Sequence, residues 1–132
     1  MSVEKLNPPN VPQPIAYYSN LAVIPPGHKL LILSGQIGNR LDGSMPDALD
    51  EQFAQALKNI VAIVESQGGG SQDVARLTCY VTERPESYDA MGKSLRETFP
   101  APPPAMTFII VAGLAGPHLK VEIEAVAAVA EN

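Results

Sequence analysis

Two glutamates near the C-terminus, Glu122 and Glu124, are the residues whose type and spacing best suit chemistry. They sit in a strict alternation, Leu119-Lys120-Val121-Glu122-Ile123-Glu124-Ala125. Side chains alternate across a strand, so Lys120, Glu122 and Glu124 share one face. Leu119, Val121, Ile123 and Ala125 share the other. Beyond Glu124 the polar face turns apolar at Val126 and Ala128. A carboxylate at such a boundary is expected to be partly desolvated. Burial disfavours the charged form, which suits a group that exchanges protons near neutral pH. The alternative is that both glutamates are solvated residues of a half-buried sheet.

Other reactive side chains offer less. His28 follows Pro25-Pro26-Gly27 and His118 follows Gly116-Pro117, so both read as exposed turn residues. No His, Cys or Asp grouping has metal-ligand spacing, so no metal site is expected. Cys79 falls on the apolar side of a strand and reads as a small packed hydrophobe. Gly68-Gly69-Gly70-Ser71 follows a helix and lacks the Gly-Lys-Ser/Thr ending of a phosphate loop.

The elements that must position the glutamates can be read along the chain. Pro8–Pro14 is an extended lead-in. Ala16–Ile24 and Lys29–Ile37 read as strands joined by Pro25-Pro26-Gly27-His28, a hairpin. Gly38–Ser44 is a polar loop with room for one short strand. A long helix is predicted to open at Ser44-Met45-Pro46-Asp47, with Ser44 as cap and Pro46 in the first turn. Leu49, Phe53, Ala56, Leu57, Ile60, Ile63 and Val64 recur at helical spacing, and Gly68-Gly69-Gly70 stops it. A strand runs from Val74 or Ala75 to Thr82, with Leu77, Cys79 and Val81 on one face. Pro85–Thr98 reads as a second helix with Tyr88, Met91, Leu95 and Phe99 inward, stopped by Pro100. The apolar run Met106–Val111 is a buried strand, and the alternating run closes the chain. The order is β-β-α-β-α-β-β, an α+β domain with helices on one face of a mixed sheet. Two helices cannot cover both faces, so the open face is expected to pack against another copy in a closed symmetric oligomer.

Composition narrows the class. A chain of 132 residues fits one domain, 1–132. Hydrophobic residues make up 45% and charged residues 17%, a globular balance. The net charge is −5 and no Lys/Arg cluster exists, which disfavours a nucleic-acid partner. No apolar stretch reaches membrane-spanning length. A single cysteine cannot form an internal disulfide, and the N-terminal residues lack an apolar core of signal-peptide type. A cytoplasmic protein is expected, with no membrane partner.

Four stretches carry a resemblance: Tyr18-Ser19, Leu33-Ser34-Gly35-Gln36-Ile37, Thr78-Cys79-Tyr80-Val81-Thr82 and Val121-Glu122-Ile123-Glu124-Ala125-Val126-Ala127. They are similar to the Pro-Tyr-Ser, Ser-Gly-Gln, Val-Tyr-Leu-Thr and Val-Glu-Ile-Glu-Ala-Ile-Ala elements of the RidA/YjgF family, also called UK114 or L-PSP. The resemblance spans nearly the whole chain. It implies a chorismate-mutase-like α+β fold and a homotrimer whose sheets form a central barrel, with ligand clefts between subunits. Active members hydrolyse reactive imines and enamines such as 2-aminoacrylate to ketoacids and ammonia, with no metal or organic cofactor.

Carried over residue by residue, the resemblance makes Glu122 the group that positions the attacking water. Gly35 becomes the glycine whose backbone lies against the ligand, with a strand bulge as its alternative. Tyr18 matches a tyrosine at the cleft, and a packed sheet aromatic is its alternative. Two departures stand out. The family's deaminases read Pro-Ala-Arg-Ser, where the arginine grips a substrate carboxylate; here the stretch is Pro104-Ala105-Met106-Thr107. Gly92 stands roughly where many members place asparagine. Arg76, Arg84, Lys93, Arg96 and Lys120 are possible replacement cations, but their spacing places none in the cleft. Met106, Thr107, Phe108 and Gly92 then become substrate-contacting positions for a neutral or more apolar molecule. The function implied is a Rid-type protein acting on an imine, enamine or related carbonyl substrate without a carboxylate. A non-catalytic metabolite-binding trimer and a chaperone-like or protein-binding scaffold are the other readings.

Overall fold

The computed structural model describes residues 2–131; positions 1 and 132, the ends of the expected domain, lie outside them. Two helices pack on one face of a mixed sheet. The strands are β1 (Glu4–Leu6), β2 (Leu21–Val23), β3 (His28–Gln36), β4 (Val74–Val81), β5 (Ala105–Ile110) and β6 (Val121–Ala130). The helices are α1 (Leu49–Glu65) and α2 (Asp89–Thr98). The main sheet has the order β3-β6-β4-β5, with β4 and β5 parallel across the α2 crossover and the other pairs antiparallel.

The alternating run does form β6, at the centre of the sheet. Val121, Ile123, Ala125, Ala127 and Val129 are buried, and they pack with Leu77, Cys79 and Val81 of β4. Helix α1 adds Leu49, Phe53, Ala56, Leu57, Ile60 and Val64 to the same core. Each large side chain so buried contributes about 1.5–3 kcal/mol of transfer free energy. Cys79 is inside, as read from the sequence, and burial pushes its thiol up to about 12.

Four expectations need correction. Leu21–Val23 does not pair with β3 as a hairpin; it pairs antiparallel with Glu4–Leu6 in a separate ribbon. Helix α1 starts at Leu49 rather than near Ser44. Ser44 is held instead in a tight turn, where its amide (2.9 Å) and hydroxyl (2.7 Å) both donate to Asp42 Oδ1. Helix α2 starts at Asp89 rather than Pro85, and Tyr88 is 49% exposed rather than inward. His28 is half-buried as the first residue of β3, whereas His118 is exposed.

Gln52, buried in the first turn of α1, fixes the approach to β6. Its amide donates to the carbonyls of Pro46 (2.9 Å) and His118 (3.1 Å), and its oxygen accepts from the Lys120 amide at 2.9 Å. A buried amide satisfied on both sides sets the register of what it touches.

The face without helices is covered only at one end. There Val3 and Ala22 of the ribbon region meet Ala75 and Ala128. Further along, Leu30, Ile32 and Ile109 remain exposed, Ile32 at 75%.

Candidate functional site

Strand register decides which candidates meet. On the helix side, Leu77, Met106 and Ala125 form one cross-strand row, and Cys79, Phe108 and Ile123 the next. On the open side the rows are Thr78, Thr107 and Glu124, then Tyr80, Ile109 and Glu122. The expected site residues therefore divide between the two faces of this chain. Tyr18, Gly92, Met106 and Phe108 line one cleft on the helix side. Glu122 and Gly35 lie together at the β3–β6 edge, and Thr107 turns away from the cleft, where its hydroxyl accepts from Arg76 at 3.3 Å.

The helix-side cleft has a volume of ≈ 530 Å³, within the range of small-molecule sites. Met106 and Phe108 of β5 make its floor. Tyr88 stands edge-on to Phe108, ring centroids 5.7 Å apart, a favoured aromatic geometry. The opposite wall is the irregular segment carrying Tyr17 and Tyr18. Ser19, fully buried, ties that wall down. Its hydroxyl donates to the Pro103 carbonyl at 2.6 Å and its amide to the Pro104 carbonyl at 3.0 Å. Tyr17 donates to the Phe99 carbonyl at 2.6 Å, so its phenol is spent on structure. The Tyr18 hydroxyl accepts from the Ile15 amide at 3.5 Å.

Gly92 gives this cleft a charge that sequence spacing missed. A Cβ built on Gly92 would stand 3.3 Å from Nη1 of Arg96. The guanidinium thus folds back over the bare backbone of Gly92 and lines the cleft with Met106 and Phe108. The expectation that none of the five cations reaches the cleft is corrected at this residue. Lys93 pairs with Glu97, Lys120 with Glu83, and Arg76 lies on the open face. Among the described residues the Arg96 guanidinium makes no hydrogen bond or ion pair. A signal for it existed: Tyr88, Gly92 and Arg96 repeat at four-residue intervals and so share a helix stripe.

At the other edge, β3 and β6 shift register between Leu33 and Gln36, a bulge that contains Gly35. The half-buried Glu122 side chain lies directly against that bulge. A Cβ on Gly35 would fall 2.7 Å from Glu122 Cδ, closer than any real contact allows. Beyond it, Tyr80 donates to Glu124 Oε1 at 2.8 Å. That bond, then desolvation and the Glu124 charge, raises the Tyr80 phenol above its ordinary value against a smaller opposing pull from Arg76. No group of three or more His, Cys, Asp or Glu side chains among the described residues could hold a metal ion. No helix among them is long and apolar enough to cross a membrane.

The same organisation recurs in known proteins. A family profile described as Endoribonuclease L-PSP matches residues 9–129. A 2-iminobutanoate/2-iminopropanoate deaminase of Dermatophagoides farinae is 29% identical over 123 residues, covering 92% of each chain. The RutC family protein YjgH of Escherichia coli is 31% identical over 95 residues, covering 71% of this chain and 72% of its own. The crystal structure of YyfB, a conserved Rid-family protein of unknown function from Yersinia pestis, superposes with a TM-score of 0.86 at 27% identity. That match covers 98% of this chain and 100% of YyfB.

Proposed function

The chain belongs to the endoribonuclease L-PSP family, the YjgF/UK114 group, and from that premise we propose that it is a Rid-type imine or enamine hydrolase with altered substrate selectivity. The observation that carries this reading is the floor of the cleft. Met106 stands there beside Phe108, and Met106 occupies the position where the resemblance puts a carboxylate-gripping arginine. A thioether packs against apolar and aromatic surface but cannot donate paired hydrogen bonds. The part of the substrate that meets β5 is therefore apolar and carries no carboxylate, and 2-aminoacrylate is a poor substrate.

The chemistry needs only proton transfer. Water adds to the C=N carbon while Glu122 accepts its proton. The acid returns that proton to the nitrogen, giving a carbinolamine; the carboxylate then takes the hydroxyl proton and passes it to the same nitrogen as the C–N bond breaks, so that ammonia leaves behind a carbonyl. Glu122 suits this role because Gly35 holds its carboxylate against the β3 backbone at the sheet's edge. Within one chain that edge and the cleft lie on opposite sides. A trimer that sets the β3 edge of one protomer beside the β5 edge of the next would join them. The exposed Leu30, Ile32 and Ile109 on the open face support such packing. The net charge of −5 argues against RNA as the substrate, despite the family's endoribonuclease description.

Ammonia release from freshly generated 2-aminoacrylate tests the reading. Wild type is expected to run at least about a hundredfold below Met106→Arg, since an unpaired carboxylate loses several kcal/mol. Robust wild-type turnover with no gain in the variant would reject it. A sedimentation mass of a single chain would reject the trimer.

A further inference from the structure

We infer that Arg96 is the anion anchor of this cleft, and that the ligand is an organic anion with an apolar or aromatic body. This rests on the reading of the cleft as a small-molecule site. Three observations lead to it. The guanidinium lines the same cavity as Met106 and Phe108, and among the described residues it has no partner of its own. An arginine left unpaired beside apolar and aromatic surface retains its full set of donors for a carboxylate or phosphate. Gly92 then explains the placement. It interrupts the middle of α2, where glycine is unfavourable. Outside the helix's own backbone, the three atoms nearest to a Cβ at this position all belong to the Arg96 guanidinium, the first at 3.3 Å. The missing side chain therefore opens room for that cation. Finally, Asp89 lines the cleft seven residues earlier, about 10 Å along the helix axis. Its negative charge repels an anion from that end and biases it toward Arg96.

The polarity of the ligand follows. Its charged group sits at the α2 side of the mouth, and its body lies over Phe108 on the floor, against Tyr88. The reacting carbon and the anionic group are thus separated by that body. They are not adjacent, as they are in 2-aminoacrylate.

Binding of 3-phenylpropanoate and of its uncharged amide, 3-phenylpropanamide, to the full chain at low salt tests the assignment by calorimetry. Wild type is expected to prefer the carboxylate by about tenfold, the share of one charge-assisted hydrogen-bonded pair. Arg96→Gln is expected to abolish that preference by weakening the carboxylate about tenfold more than the amide. Gly92→Asn, which crowds the guanidinium, is expected to reduce the preference, and Arg84→Gln, outside the cleft, to leave it intact. Equal affinity for both probes in wild type, or a preference that survives Arg96→Gln, overturns the inference. If Tyr88→Ala still weakens both probes in that case, the cleft reading stands without the anchor. Failure of both probes to bind wild type counts against the cleft reading as well.

Discussion

Gly35 and Gly92 each leave room for a charged side chain, yet the two regions enforce that room differently. At Gly35 the neighbour is the Glu122 side chain, which projects from a central strand, and a Cβ would lie 2.7 Å from both Cγ and Cδ. Three successive atoms of that side chain would have to leave their place, which needs a new Glu122 rotamer or a shift of β3 against β6. At Gly92 the neighbour is the tip of an exposed arginine, 3.3 Å away, free to swing into solvent. The first glycine is a steric requirement of the sheet. The second is a permission on a helix surface. Substitution should therefore damage one region and merely retune the other.

The largest effect falls at the sheet edge. Gly35→Ala is expected to destabilise the chain by about 1–3 kcal/mol, the usual cost of overpacking, measured by urea unfolding. Adding Glu122→Ala should recover most of that loss, because the clash partner is then gone and the two effects couple. Additive losses would mean that the strain lies in the bulge itself. At the helix the sign reverses. Gly92→Ala is expected to stabilise by about 0.5–1 kcal/mol, since alanine is the better helix former and Arg96 can yield. A loss at Gly92 would show that the guanidinium is fixed, and the contrast between the two glycines would disappear.

The smallest effect separates the open face from the cleft by pH. Tyr80 holds its proton more tightly in the folded chain, chiefly through its bond to Glu124. A phenol whose folded value is raised contributes stability that is complete below its unfolded value, about 10. That contribution is lost as pH climbs through the folded value, because the unfolded chain gives up the proton first. Tyr80→Phe should flatten this alkaline decline in unfolding experiments, and ligand binding in the cleft should not change. An unaltered slope would remove Tyr80 as its source.

The legible parts of the sequence were those with a strong period. The alternation in Leu119–Ala125 announced β6, and the Leu49–Val64 spacing announced α1, because burial on one face leaves a repeat. The ribbon of Glu4–Leu6 with Leu21–Val23 left none. Three-residue strands are too short for a period, and their pairing spans the proline-rich segment between them. The start of α1 was misread because Ser44 has a competing local partner in Asp42. Glu122 beside Gly35 was visible only as a resemblance, since their contact crosses between strands far apart in sequence. Arg96 was missed for a different reason. Its reach depends on the absence of a side chain four residues earlier, and an absence carries no hydropathy signal.

Ser19 links the breadth of the cavity to a distant-looking part of the chain. Both of its hydrogen bonds end on consecutive proline carbonyls, 103 and 104, just before the strand that carries Met106. The tyrosine-bearing wall and the methionine-bearing floor are thus stitched at one point. Swapping the connector 100–104 between relatives should transplant aperture along with it, even when no residue facing the ligand is exchanged.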